Sequence, residues 1–148
     1  MIMSNYPKEL INSIAQSIDA GFICFVNPLS KEMEEVPQLF IEDPHEYEMV
    51  TGFTAETMNL KYTNWETYLT IEPLRSHDSF KIMEAFADEM EDSALQQELF
   101  NALNRRRPFA HFKAIIDDSP FRQAWFDFKQ QKLEAYVNDE LNDSSLDF

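Results

Sequence analysis

Apolar residues recur along this chain at two different periods, and the change of period divides it. Over 7–19, PKELINSIAQSID, Leu10, Ile11, Ile14 and Ile18 fall on one helical face, with Pro7 at the start and Gly21 at the C′ position. The run 22–26, FICFV, has no helical period and predicts a strand ended by Asn27-Pro28. Residues 29–36, LSKEMEEV, predict a second strand in a hairpin with it, ended by Pro37. Asp43-Pro44 followed by Glu46 has the form of a capping box for a short helix that closes at Gly52. Loop or a short helix is expected at 53–62. Over 64–72, NWETYLTIE, Trp65, Thr67, Leu69 and Ile71 alternate with Glu66, Tyr68 and Thr70, the pattern of a half-buried strand.

Beyond Pro73 only the helical period remains. Ser76 is placed to cap a helix with the stripe Phe80, Met83, Phe86, Ala87 and Met90. Ser93 with Gln96 opens another through Leu95, Leu99, Ala102 and Leu103. Phe109, Phe112, Ile115 and Ile116 then share a face. After Asp117-Asp118, Ser119 is a candidate N-cap and Pro120 a first helical residue. A last helix carries Phe121, Trp125, Phe128, Ala135 and Tyr136. It also carries a second, offset stripe of Phe126, Leu133, Val137 and Leu141, explained by burial over a wide arc or by a dimer partner. The expected fold is α+β: an N-terminal helix with a small antiparallel sheet, then a C-terminal layer of about four helices including an aromatic helical hairpin. The expected organisation is a single domain over 1–148, with a helix-plus-sheet half at 1–72, a helical half at 73–141 and an acidic tail at 142–148.

Composition sharpens this. With 44% hydrophobic and 14% aromatic residues, the chain is a folding one despite its net charge of −15. Two glycines leave no room for a Gly-rich phosphate loop. The lone Cys24 cannot form an internal disulfide, no signal-like segment stands at the start, and no run reaches the length of a membrane span. The expectation is a cytoplasmic protein away from membranes, monomer or homodimer.

Charge is distributed unevenly. Residues 105–132 hold seven bases against three acids, a net of +4, while 1–104 hold five bases against nineteen acids, a net of −14. This basic, aromatic stretch is the candidate docking surface, with Arg105, Arg106, Arg107, Lys113, Arg122, Phe126 and Lys129 as contact residues. An acidic protein segment or a phosphate-bearing ligand is the partner it suits. Phe126, between Arg122 and Lys129 on the helical wheel, reads as an exposed anchor. The competing reading pairs the arginines with acids of the chain itself, favourable at a helix end. A nucleic-acid accessory role on the same patch is disfavoured by the overall charge.

Other chemistry finds little. His45, His77 and His111 fit no zinc spacing, and the acidic clusters lack the spacing of a calcium loop. Cys24 in an apolar strand reads as an inert thiol. No cofactor motif is present, and catalysis is not expected. An enzyme reading would be a hydrolase or transferase using carboxylates around Glu42–Glu48.

The segments YLTIEPLRSHDSFKIMEAF, LQQELFNALNRRRPFAHFK and WFDFKQQKLEAY resemble uncharacterised protein family 0158, over roughly 65–140 and more loosely before that. The resemblance implies a fold and brings no activity. In that family a small or glycine residue usually precedes the AF-x-x-FK element. Here Arg106-Arg107-Pro108 stands there, which puts a tight glycine turn in question.

Overall fold

A computed structural model describes residues 6–61 and 68–145. Its elements follow in the order α1 (Lys8–Asp19), β1 (Phe22–Val26), β2 (Met33–Pro37), α2 (Gln38–Glu42), α3 (Pro44–Thr51), α4 (Ala55–Lys61), β3 (Leu69–Ile71), α5 (Ser76–Asp88), α6 (Ser93–Leu103), α7 (Pro108–Asp117) and α8 (Arg122–Ser145). The fold is α+β. The chain divides into two compact units: Met1–Pro73 together with Leu133–Phe148, and Leu74–Lys132.

In the first unit the strand order is β2-β1-β3, with β1 antiparallel to both neighbours. That central place explains why FICFV does not alternate, because a strand covered on both faces is apolar throughout. The register sets Cys24 opposite Glu35 and Ile71, and Ile23 opposite Val36. One face carries Cys24, Val26 and Ile71, the other Ile23 and Val36, and all five are buried. On the first face lies α1, whose Ser17 hydroxyl donates to a Glu35 carboxylate oxygen. Phe40, Tyr47 and Met58 of α2–α4 pack with Val36 and Phe25 on the second. The end of α8 joins this unit, its Glu134 accepting from Asn12 Nδ2 at 3.4 Å and its Tyr136 hydroxyl donating to the Glu72 carbonyl at 3.1 Å.

Local signals mostly acted where they stood. Gly21 and Gly52 hold φ of 97° and 83° behind α1 and α3, a left-handed conformation that glycine adopts without a Cβ clash. Asp43 Oδ1 accepts from Glu46 N at 3.0 Å, and Pro44 opens α3. The second strand begins later than expected. Residues 29–32 form the turn before β2, where Asn27 Oδ1 accepts from Leu29 N and Ser30 N. In the expected strand 64–72, Trp65 and Thr67 lie outside the described residues, and β3 is Leu69–Ile71 with Thr70 exposed between the two. Within 53–62 the chain takes the helical option, as α4.

The second unit is built on a core of Phe86, Ala87, Met90, Leu95, Leu99, Leu103, Phe112, Ile116 and Trp125. Phe112 and Trp125 meet edge to face with centroids 4.9 Å apart, and Phe86 meets Trp125 and Phe128 at 5.3 Å each. Ser76 is the first residue of α5 rather than its cap. At α6 the cap is Asp92, whose Oδ1 accepts from Leu95 N at 3.1 Å. Gln96 Nε2 instead reaches back to the Ala87 and Asp88 carbonyls at the end of α5. Pro120 stands in the turn before α8, where the Ser119 hydroxyl donates to Ile116 O and accepts from Phe121 N.

The last helix serves the two units in series, and each of its two stripes is divided between them. Phe121, Trp125, Phe126 and Phe128 pack in the stretch belonging to the second unit; Leu133, Val137 and Leu141 are buried in the stretch belonging to the first. α8 runs on to Ser145, into the expected acidic tail, whose residues 146–148 lie outside the described residues.

Candidate functional site

The predicted basic surface is distributed over the α6–α7–α8 segment. Arg105, Arg106 and Arg107 form the connection between α6 and α7, and all three are exposed. Among the described residues their side chains form no hydrogen bond or ion pair. Their relation to the helix dipoles is mixed: the triplet follows the C-terminus of α6, which favours cations, and precedes the N-terminus of α7, which does not. Arg107 is itself the residue before α7, with φ 54° and ψ 55°. The turn questioned for want of a glycine is therefore made, with an arginine in the left-handed region, at a cost on the order of 1 kcal/mol.

At the other end of α7, about 15 Å along its axis, Arg122 binds Asp117 at 3.2 Å, both side chains being largely exposed. Its guanidinium lies 4.7 Å from the Phe126 ring, while Lys129 Nζ lies 5.4 Å from Phe126 and 5.8 Å from Trp125. Lys132 continues the row over Phe128 at 5.3 Å. The residues 122, 126, 129 fall one helical turn apart, which is why cation and ring meet. Phe126 is half-buried against the core and covered by these cations, so it is not the exposed anchor expected. Lys113 is exposed on α7.

Phe109 is exposed where Phe126 is not. Assigned by spacing to the buried face of α7, it is 37% exposed, two residues after Arg107. Phe112 and Ile116 of the same stripe are fully enclosed. A stripe at three-and-four spacing says which residues share a face; the core ended before the first turn of α7.

The remaining candidates scatter. His45 and His77 are exposed and His111 is half-buried on α7. Glu42, Asp43, Glu46 and Glu48 are exposed, with Asp43 engaged as the α3 cap. Among the described residues no group of three or more His, Cys, Asp or Glu is gathered to hold a metal ion. Cys24 is fully buried, and burial pushes its thiol up to about 11; the Ser17 hydrogen bond pulls it down and the Glu35 charge adds to the rise. No described helix is long and apolar enough to cross a membrane.

The family model described as an uncharacterised protein family, UPF0158, matches residues 10–148, from α1 through α8. The chain belongs to UPF0158. Its membership thus takes in the N-terminal helix and sheet, well beyond the segments that carry the resemblance in the sequence. It is similar to a UPF0158 protein of Pseudomonas aeruginosa, 32% identical over 82 residues, 55% of this chain and 54% of that one. The match spans about half the length of that relative. No solved structure matches. UPF0158 membership leaves the chemistry to be argued from the residues themselves.

Proposed function

We propose that this protein is a non-catalytic interaction module acting in the cytoplasm, and that the α6–α7 corner docks an acidic segment of a partner protein. One observation carries the reading: Arg105, Arg106 and Arg107 stand exposed and, among the described residues, without an acid partner, one of them in a left-handed conformation that costs stability, next to the exposed Phe109. Backbone strain retained at an exposed, charged residue points to use rather than to folding. Arginine forks bind carboxylates two hydrogen bonds at a time, and arginine beside an aromatic ring is a common centre of binding energy. Lys113, Arg122 and Lys129 extend the positive surface along α7 and α8.

The test is affinity capture from the native host's lysate, with and without nuclease, using the wild type and a variant with Arg105, Arg106 and Arg107 all changed to Glu. The expected result is a protein captured by the wild type in both conditions and lost by the variant, with unchanged circular dichroism. Arg107→Gly separates the two roles of that residue: it relieves the left-handed strain, raising stability by up to about 1 kcal/mol, and weakens capture. Capture that survives the triple reversal removes this surface. Capture abolished by nuclease and steeply salt-dependent replaces the reading with nucleic-acid binding.

A further inference from the structure

A second exposed surface lies in the other unit and carries the opposite charge. Of the seven large apolar side chains that stand exposed among the described residues, five fall between Leu39 and Phe53, on α2, α3 and the turn after them. Apolar side chains exposed singly are ordinary, whereas their concentration in one short stretch marks an interaction site. We infer that α3 and the turn behind it dock a basic, amphipathic segment of another protein.

The face is built by spacing. Glu46, Met49 and Val50 stand at the three-and-four intervals that share one side of α3, and Phe53 falls at the next such step, just past the helix end. Met49 is 72% exposed, Val50 66% and Phe53 53%. None of the residues of α3 is fully buried. The helix is held by its half-buried Tyr47, whose ring meets Phe40 of α2 edge to face with centroids 5.6 Å apart. Folding of the unit therefore does not call on Met49 or Val50. Gly52 ends α3 at φ 83°, and the Thr51 hydroxyl donates to the Tyr47 carbonyl at 2.7 Å while accepting from Phe53 N at 3.1 Å. That turn fixes the backbone at Phe53 beside the end of the helix.

Charge selects the partner. Residues 32–60 hold eight acids and no lysine or arginine. Of these acids Glu46 shares the apolar face, and Glu56 stands three residues past Phe53; both are exposed. The unit as a whole holds three bases against seventeen acids, a net of −14, so its field draws cationic segments towards it. The same field repels an anionic membrane surface, and it repels a second copy of this chain, itself at −15. A segment with apolar residues on one side and lysine or arginine around them meets both features at once, its apolar side on Met49, Val50 and Phe53 and its cations on the acids.

The probe is a synthetic peptide of leucine and lysine in the order of an amphipathic helix, fluorescently labelled and titrated with the full-length protein while its anisotropy is read. Saturable binding is expected, weakening as NaCl is raised from about 50 mM to about 300 mM. Met49→Ser with Phe53→Ser is expected to weaken it about tenfold, and Glu46→Gln with Glu56→Gln about fivefold, each with unchanged circular dichroism. The second pair carries the test alone should the first lose its fold. Asp88→Asn with Glu91→Gln removes the same charge from exposed acids of the other unit and is expected to change nothing. A peptide of the same composition in scrambled order is expected to bind about tenfold more weakly. Equal binding of the scrambled peptide, an equal loss with the Asp88 and Glu91 pair, full affinity in a folded variant of this face, or no saturable binding would each overturn the assignment. So would a dimer of the protein alone, seen by sedimentation and abolished by Met49→Ser with Phe53→Ser, which would give the face to a second copy. The peptide carries no acidic side chain for the arginine corner to bind, so these outcomes are read separately from the test of that corner.

Discussion

Cys24 shows how much one side chain owes to its neighbours. As a thiol raised to about 11 by burial, it is protonated and enclosed at neutral pH. Ellman's reagent is expected to label it only after denaturant is added, and rapid labelling of the native protein would contradict its placement. The pH dependence has a definite sign. The unfolded thiol titrates near its ordinary 9.0 and the folded one near 11, so its contribution is complete below pH 9 and is lost as pH rises to 11. The loss amounts to about 3 kcal/mol at most. Urea unfolding of wild type and Cys24→Ala from pH 8 to 11 isolates it; a difference that stays flat would rule it out. The burial of Cys24 was legible in the sequence, because a cysteine inside an apolar strand is enclosed. The exposure of Phe109 was not, since Phe109 and Phe112 obey the same spacing and differ only in how far the core reaches.

At the scale of elements, helices and strands were legible wherever the signal was local: Pro7 and Gly21 around α1, Asp43 and Gly52 around α3, the alternation into β3. Caps offered by adjacent residues were harder. Asp92 and Ser93 are both N-cap types, and a capping-box reading selects Ser93 because Gln96 stands three residues on. Gln96 is instead drawn to the open carbonyls of α5, which leaves Asp92 to hold the Leu95 amide. Asp92→Ala is expected to cost about 1 kcal/mol, and Ser93→Ala no more than about 0.5 kcal/mol. Thermal unfolding of the pair decides between the caps, and the reverse order would restore Ser93. The offset stripes of α8 have a comparable cause. One continuous helix supplies Trp125 to one compact unit and Val137 to another, so no single periodic face describes it.

Across the whole molecule the units differ sharply in charge. Residues 74–132 hold nine bases and ten acids, while the rest of the chain holds three and seventeen. The ion pair between Arg122 and Asp117 is exposed and adds little against that excess. Repulsion among like charges should therefore dominate, and raising NaCl from about 10 mM to about 300 mM is expected to move the urea midpoint upward. A downward shift would mean that attractive pairs prevail.

The sequence by itself determined the α+β class, the antiparallel β1–β2 hairpin, the aromatic core of the later helices and the reversal of charge at residue 105. Each of these follows from residue type and short-range spacing, through propensity, turn chemistry and Coulomb's law. Only the tertiary structure decided the order β2-β1-β3 and which of Phe109 and Phe126 stays exposed. Those depend on which surfaces meet, and burial is settled by neighbours distant in the chain.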